Sequence, residues 1–477
     1  MKRENRYIKL LSDTVVFAVG NLLVKIVQLL LLPLYTVTLT TAAYGTAELI
    51  NNLTEMLLPV VTICIYEATF RFAVERDVEH RKLLTDSLRV LFSGILVFTA
   101  LTGVLQAFIH SPYTWLSYLI IVTYAVRMVL AGFVRGIGHV RRFAAGGVVN
   151  VAALFGANII LLIYCRMGAA GYLLSLTISN IVSTLFIIIS SGLHRYIVFE
   201  KWDPKLVKTI LTFSFPMVFN VMSWWLTNMS GRYIILWSCG VATAGLYAAA
   251  SKLPAVINLA AGTFQQAWQA SSAREHKSAD GKLFFSNIFK VYSALVLLFG
   301  AAVILATPIL ARLMLKGDFY AAMTYLPLLM VTAMLNCYST YFGTLYNAFK
   351  NNKMVMVSTI AGAAANIAAG ALLVHVVGVW GPLTSGVFCY LIVVIIRMAD
   401  TMRLVSVEKE LKLNLPCFTL IVAESIFMSI GGRAMTALSA GIAGVVFIWH
   451  IYYYRKPLRA ACTRLEAKIN GLPHRSA

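Results

Sequence analysis

The sequence is short of charge. Only 12% of its 477 residues are Asp, Glu, Lys or Arg, and acids number 19 against 40 bases, where a soluble domain carries about 25% charged residues. Long polar stretches are missing as well, which leaves no room for a soluble domain or for an external loop able to house a glycosyl-transfer site. No GxxxxGK[ST] run is present, so the chain is not itself an ATP-driven pump, and no other enzymatic signal stands out. The 7 cysteines show neither CxxC nor His-paired spacing and sit mostly in apolar runs. That excludes a disulfide framework and a zinc site, and leaves them as small core residues with no metal expected.

What the chain does have is apolar length: 60% hydrophobic residues and a mean hydropathy of +0.79. A spanning helix needs roughly 20 apolar residues. Windows of that kind fall at 11–38, 43–70, 86–109, 113–134, 143–165, 169–190, 207–238, 244–271, 284–311, 320–349, 354–377, 380–399, 414–431 and 434–454, about fourteen helices. The first is too long for a signal-peptide core and contains Lys25, so no cleavage is expected. The net charge of +21 would suggest nucleic acid in a soluble protein. Here its placement gives another answer. With the N-terminus inside, 32 of the 40 Lys and Arg lie on one side of the membrane, as the positive-inside rule requires. Only Arg166, Arg312, Lys316 and Arg433 lie in the opposite links, while Lys25, Arg127, Arg232 and Lys252 fall within spans. Both termini are therefore expected in the cytoplasm, with no nucleic-acid partner, and the basic tail from Arg455 is expected on the inner surface.

The pattern of the start is repeated near the middle. A basic lead-in, a helix with Asn21, Lys25 and Pro33, an uncharged link and a second helix opening on Tyr44-Gly45 are matched by Lys208, a helix with Pro216, Asn228 and Arg232, a link, and a helix opening on Gly245-Leu246-Tyr247. Gly156-Ala157-Asn158-Ile159 is likewise echoed by Ala364-Ala365-Asn366-Ile367. This predicts an all-α polytopic membrane protein with an N-terminal lobe over 1–200, a C-terminal lobe over 201–405, and two further helices with a basic tail over 406–477.

Polar residues within spans must face other helices or a water-filled cavity, because each buried charge costs about 2.5–3.5 kcal/mol on insertion scales. Asn21, Lys25 and Gln28 share a face, as do Glu48, Asn51, Asn52, Glu55, Thr62 and Tyr66 over four turns. Trp224, Asn228 and Arg232 share another; Tyr247, Ser251, Pro254, Asn258 and Gln265 form a stripe with Lys252 at its edge. Lys25 either pairs with Glu55 or serves a ligand, and Arg127 is expected to snorkel inward. Arg232 and Lys252 have no acid in their own helices. These two bases and Lys25 suggest a cationic cavity between the halves, suited to a phosphate-bearing ligand, with Asn21 and Asn228 as further contacts. Glu48 and Glu55 would shape it or bind a coupling ion. Trp224 and Trp225 read first as packing aromatics; the prolines either bend their helices or are tolerated there. Glu424 pairs with Arg433 or with another neighbour, and no role is assigned to it.

The runs Leu32-Pro33-Leu34-Tyr35-Thr36, Tyr44-Gly45 and Ile65-Tyr66-Glu67-Ala68 in the first half resemble polysaccharide or oligosaccharide flippases of the Wzx type. So do Ser230-Gly231-Arg232-Tyr233, Gly245-Leu246-Tyr247-Ala248, Lys252 and Gln265-Gln266-Ala267-Trp268-Gln269 in the second. The resemblance implies the fold of the multidrug/oligosaccharidyl-lipid/polysaccharide (MOP) transporters, which is MATE-like: two six-helix lobes and two extra helices, working by alternating access. It implies a bacterial cytoplasmic membrane protein that moves an undecaprenyl-diphosphate-linked oligosaccharide outward for exopolysaccharide, capsule or O-antigen assembly. Membrane lipids and the polysaccharide polymerase machinery would be its partners. No cofactor is implied; coupling to Na⁺, H⁺ or membrane potential stays open. A lipid II flippase, a cation-coupled multidrug antiporter and, last, a membrane glycosyl transferase or polymerase are the alternatives. Relatives often carry Asp before the arginine of the seventh helix, where this chain has Gly231, so Arg232 lacks that local partner.

Overall fold

The structure, a computed structural model, describes residues 26–27, 29–75, 78–108, 111–196, 203–258, 261–262, 264–265, 281–348, 352–402 and 408–469. Among the described residues there is no strand. Eleven helices are long and apolar enough to cross a membrane, or twelve if one bent pair counts as a span. The first and eighth apolar windows are represented by the short apolar helices α1 (Leu29–Thr38) and α9 (Val241–Ser251), the rest of each window lying largely outside the described residues. Each sequence window thus holds at least part of a helix.

The second window is the one that departs from a simple rod. α2 (Thr41–Thr62) starts where the Thr40 hydroxyl accepts from the Ala43 N–H, a capping arrangement that satisfies one orphan donor. It contains Pro59, which has no N–H to give and crowds the carbonyl one turn back. The chain then passes through Ile63 and Cys64 at φ 50° and 52° and restarts as α3 (Ile65–Ala73) after a bend of 63°. The left-handed region costs an L-residue about 1–2 kcal/mol, so neighbouring packing must hold the bend. α4 (His80–Phe108) and α5 (Thr114–Gly136) do so through glycine. A Cβ on Gly94 would fall on the Val61 carbonyl oxygen, and one on Gly132 would sit 2.9 Å from that of Tyr66. The bend corrects the expectation of one polar face over four turns: Tyr66 belongs to a second helix axis.

α6 (Val140–Asn158) continues as a π-helical turn, Ile159–Tyr164, and leads through Arg166 and Gly168, both at positive φ, into α7 (Gly168–Ser191). α8 (Pro204–Cys239) begins on Asp203, which accepts from the Lys205 and Leu206 N–H groups, with Pro204 in the first turn where its missing donor costs nothing. It runs through Pro216 as one helix of 36 residues. α9 follows at once and stops before Pro254, whose ring disfavours helical geometry in the residue ahead of it.

The chain forms two compact units. Among the described residues, the first comprises those up to Lys252 together with Met314–Tyr320 and Gly370–Pro382. Its core gathers Cys64, Ile65, Leu83, Leu91, Ala125, Val129 and Phe133. α8 and α9 thus pack with the N-terminal helices. The second unit comprises Leu253–Leu313, Ala321–Ala369 and the residues from Leu383 onward. It contains α10 (Gly281–Leu305), most of α11 (Thr307–Met314), α12 (Leu326–Ala348), most of α13 (Asn352–Val377), most of α14 (Trp380–Thr401), α15 (Glu408–Ile430) and α16 (Arg433–Ile469). Phe289, Leu297, Met334 and Tyr341 pack there with Ile421 and Val446. Asn414 of α15 donates to the Ser293 hydroxyl at 2.9 Å, which is 2.7 Å from the Tyr338 hydroxyl. The last two helices are therefore built into the second unit. Glu424 accepts from the neighbouring Ser439 at 3.4 Å, the second of the two pairings expected for it. Arg397 is buried and donates to the Ser358 and Thr359 hydroxyls, each at 2.9 Å, and to the Ser339 carbonyl at 2.8 Å. It clamps α12, α13 and α14 together.

Candidate functional site

The site is assembled around one carboxylate in the first unit. Glu48 lies seven residues into α2, about 10 Å along its axis, and is 2% exposed. Its Oε1 accepts from the Tyr44 hydroxyl at 3.2 Å, one turn back, and from the Tyr172 hydroxyl of α7 at 2.9 Å. The same oxygen lies 2.8 Å from Lys252 Nζ, and Oε2 lies 3.7 Å from an Arg232 guanidinium nitrogen. Arg232 also donates to the Ser251 hydroxyl at 2.9 Å. Lys252 occupies the residue just after α9, where the helix ends before Pro254, so its side chain starts from a helix terminus. Helices α2, α7, α8 and α9 thus converge on a single acid.

A close backbone crossing makes the convergence possible. A Cβ on Gly45 would fall on the Val241 carbonyl oxygen, and a Cβ on Gly245 would fall on that of Thr41. Gly45 and Gly245 also face each other, the nitrogen of one at 2.9–3.0 Å from where the other's Cβ would be. A glycine on each helix allows this approach, as small residues do in membrane helix pairs generally. The pairing is reciprocal, residue 45 with 241 and residue 245 with 41, so that positions 41 and 45 correspond to positions 241 and 245, 200 residues on. Beyond the crossing, one turn past Gly45 and about two turns past Gly245, Glu48 meets Lys252.

An aromatic shell closes the acid off. Tyr35 packs its ring 4.9 Å from Tyr172 and 5.8 Å from Tyr44. Phe319, from the link between α11 and α12, sets its ring 5.6 Å from Tyr44, steeply tilted at 76°, the edge-to-face geometry that aromatic quadrupoles favour. Thr36 donates to the Met314 carbonyl at 2.9 Å. Trp225 donates its indole N–H to the Asn52 carbonyl at 2.9 Å, tying α8 to α2 one turn beyond Glu48.

Of the residues nominated from sequence, Glu48, Arg232 and Lys252 meet. Arg232 and Lys252 are not left without a counter-charge: the acid missing from their own helices comes from α2. Asn21, Lys25 and Gln28, and the side chains of Trp224 and Asn228, lie outside the described residues. Glu55 lies two turns further along α2 and is exposed. Arg127 does not snorkel. Its Nε donates to Asn180 Oδ1 at 2.8 Å and its guanidinium lies 5.2 Å from the Tyr124 ring centre, which satisfies it inside the bundle. The stripe of the eighth window divides: Ser251 serves Arg232, while Asn258 accepts from Asn336 at 3.0 Å in the second unit. Sequence reasoning missed Tyr35, Tyr172 and Phe319, since an aromatic residue in an apolar run reads as packing. Among the described residues no group of His, Cys, Asp and Glu could hold a metal ion.

Two cations share one carboxylate, so the site keeps an excess positive charge in a place where a lone charge is costly. Arg232 and Lys252 can accept a second anion without losing their first, or exchange Glu48 for it. Lys252 is the more available, its side chain 34% exposed against 14% for Arg232.

Comparison with known proteins agrees with this architecture. No curated protein matches the chain. Among solved structures, the lipid II flippase MurJ in an inward closed conformation is 13% identical, with a TM-score of 0.67 over 93% of this chain and 100% of that one. An inward-facing multidrug resistance MATE family transporter of the MOP superfamily is 14% identical, with a TM-score of 0.61 over 81% and 99%. A MOP superfamily transporter from Pyrococcus furiosus, described as having a binding pocket of reversed polarity, is 13% identical, with a TM-score of 0.54 over 82% and 96%. The family model described as "Polysaccharide biosynthesis protein" matches residues 10–269, more than half the chain and the whole of the described site apart from Phe319 and its neighbours. The chain is therefore a member of the polysaccharide biosynthesis protein family, built on the MOP-superfamily transporter fold.

Proposed function

We propose that this protein is a flippase for an undecaprenyl-diphosphate-linked oligosaccharide, carrying it from the inner to the outer leaflet of a bacterial cytoplasmic membrane. The observation that carries the reading is the cluster of Arg232 and Lys252 about the single acid Glu48. A diphosphate offers what that cluster can take: a dense negative charge with several acceptor oxygens, matched by a guanidinium fork and a mobile ammonium. Family membership supports a role in polysaccharide assembly. Lys25, Asn21 and Asn228 remain candidates for further contacts to cargo, and Glu55 for shaping its path. With both termini inside, cargo would enter from the cytoplasmic side.

Leaflet-resolved labelling of lipid-linked oligosaccharide, in cells with and without the protein, tests this. Accumulation of the intermediate on the inner leaflet after removal is the expected result. An unchanged lipid distribution with reduced efflux of cationic dyes would instead make the protein a multidrug antiporter. Replacing Arg232→Gln and Lys252→Gln together should abolish translocation while the protein still reaches the membrane; retained transport would remove the two bases from the mechanism.

A further inference from the structure

The segment Met314–Tyr320 packs in the first unit, although the chain on either side of it belongs to the second. Its Met314 carbonyl takes the hydrogen bond from Thr36, and Phe319, 1% exposed, sits on the ring of Tyr44. Tyr44 is the residue that donates to Glu48. A chain of contacts therefore runs from the strap to the acid and on to both bases. The strap carries Lys316, and Arg312 lies in the last turn of α11 just before it; charge distribution assigns both to the outer side. The links that precede α2 and α9 are assigned to the same side.

We propose that Met314–Tyr320 is the outer closure of the site, and that Phe319 is a positioning residue: seated on Tyr44 it keeps Glu48 engaged with Lys252 and Arg232, and it leaves when cargo passes outward. The inference rests on the proposed translocation. Both ends of the strap are covalently continuous with the second unit. Once Tyr44 is released, the outer end of the α2/α9 crossing loses its cover.

The test uses a full-length chain in which Cys165 and Cys239 are replaced by Ser and Thr36 by Cys, an almost isosteric change beneath the strap. In right-side-out vesicles, an impermeant maleimide should react slowly with position 36. Adding Phe319→Ala should speed that reaction about tenfold or more, on the scale of losing an edge-on aromatic pair and its buried area. A second variant, Thr36→Cys with Met314→Cys, locks the strap by a disulfide. Oxidation should stop leaflet transfer and reductant should restore it in the same molecules, which separates a lock from misfolding. Equal labelling with and without Phe319, or full transport with the disulfide formed, would overturn the proposal. Labelling needs no cargo, so it judges the strap even if leaflet transfer of this lipid is never observed; in that event it is the flippase reading that fails.

Discussion

Glu48 holds two bases that the sequence presents without partners, and its removal should therefore act in two opposite ways. In Glu48→Gln the amide keeps the size but leaves Lys252 and Arg232 uncompensated. The folded protein should lose about 1–3 kcal/mol, toward the low end for a pair whose lysine is a third exposed, read as a lower melting temperature in detergent. Binding of undecaprenyl diphosphate should tighten, about tenfold, because the ligand no longer competes with a fixed carboxylate, while transport slows through retention. Gly231 offers the converse change. A Cβ there would meet only the Tyr247 hydroxyl, at 3.9 Å, so Gly231→Asp should fold normally. It would place a second acid beside Arg232, and cargo affinity should fall; unaltered binding would argue that Arg232 does not touch the diphosphate. The identities of these residues were legible in the sequence because a charge within a span is costly and must be accounted for. Their partnership was not, since spacing along one helix reveals a face and never the helix that it meets.

At the level of the element, the α2/α9 crossing and the α2/α3 bend are both made by glycine, but in different ways. Gly45 and Gly245 admit backbone against backbone, so Gly45→Ala should force the crossing apart. A loss of about 1–3 kcal/mol is expected from overpacking, together with faster thiol labelling of Thr36→Cys from the outside, as the cover over the site loosens. If Gly45→Ala melts and labels like the parent, the crossing is not close in solution. The sequence marked Tyr44-Gly45 and Gly245-Leu246-Tyr247 as matching helix starts, and the matched small residues at 41, 45 and 245 were visible in principle. The bend at Ile63 and Cys64 was not. Neither residue favours the left-handed region, and the room for the turn is made by Gly94 and Gly132, far along the chain. Pro59 was a signal for some distortion, yet Pro33 and Pro216 lie within continuous helices, so proline alone could not single out the break.

For the whole molecule, apolar length and basic links were enough to set the helix order, because the bilayer demands satisfied backbone throughout each span. The orientation can be checked on native thiols. Cys165 is exposed beside the turn that carries Arg166, on the side assigned as outer, whereas Cys64 and Cys337 are buried. An impermeant maleimide added to intact cells stripped of their wall should label Cys165 and leave Cys64 and Cys337 unmodified. Labelling of Cys165 only after permeabilisation would invert the topology, and with it the direction of transport. Division into compact units was the least legible property. Repeats in sequence start a second half near residue 200, but the Glu48 cluster and the glycine crossing draw α8 and α9 into the first unit, and the boundary falls at Lys252.

The reciprocal crossing has a bearing on ancestry. When 45 meets 241 and 245 meets 41, each helix offers the other the surface it receives, which is how two identical subunits meet across a twofold axis. Fused into one polypeptide, such a contact has the form that duplication of a half-length gene leaves behind. The two copies differ where the charge sits: the counterpart of Glu48 is Ala248, and the counterpart of Lys252 is Asn52. An old symmetric seam thereby became a charged and directional one.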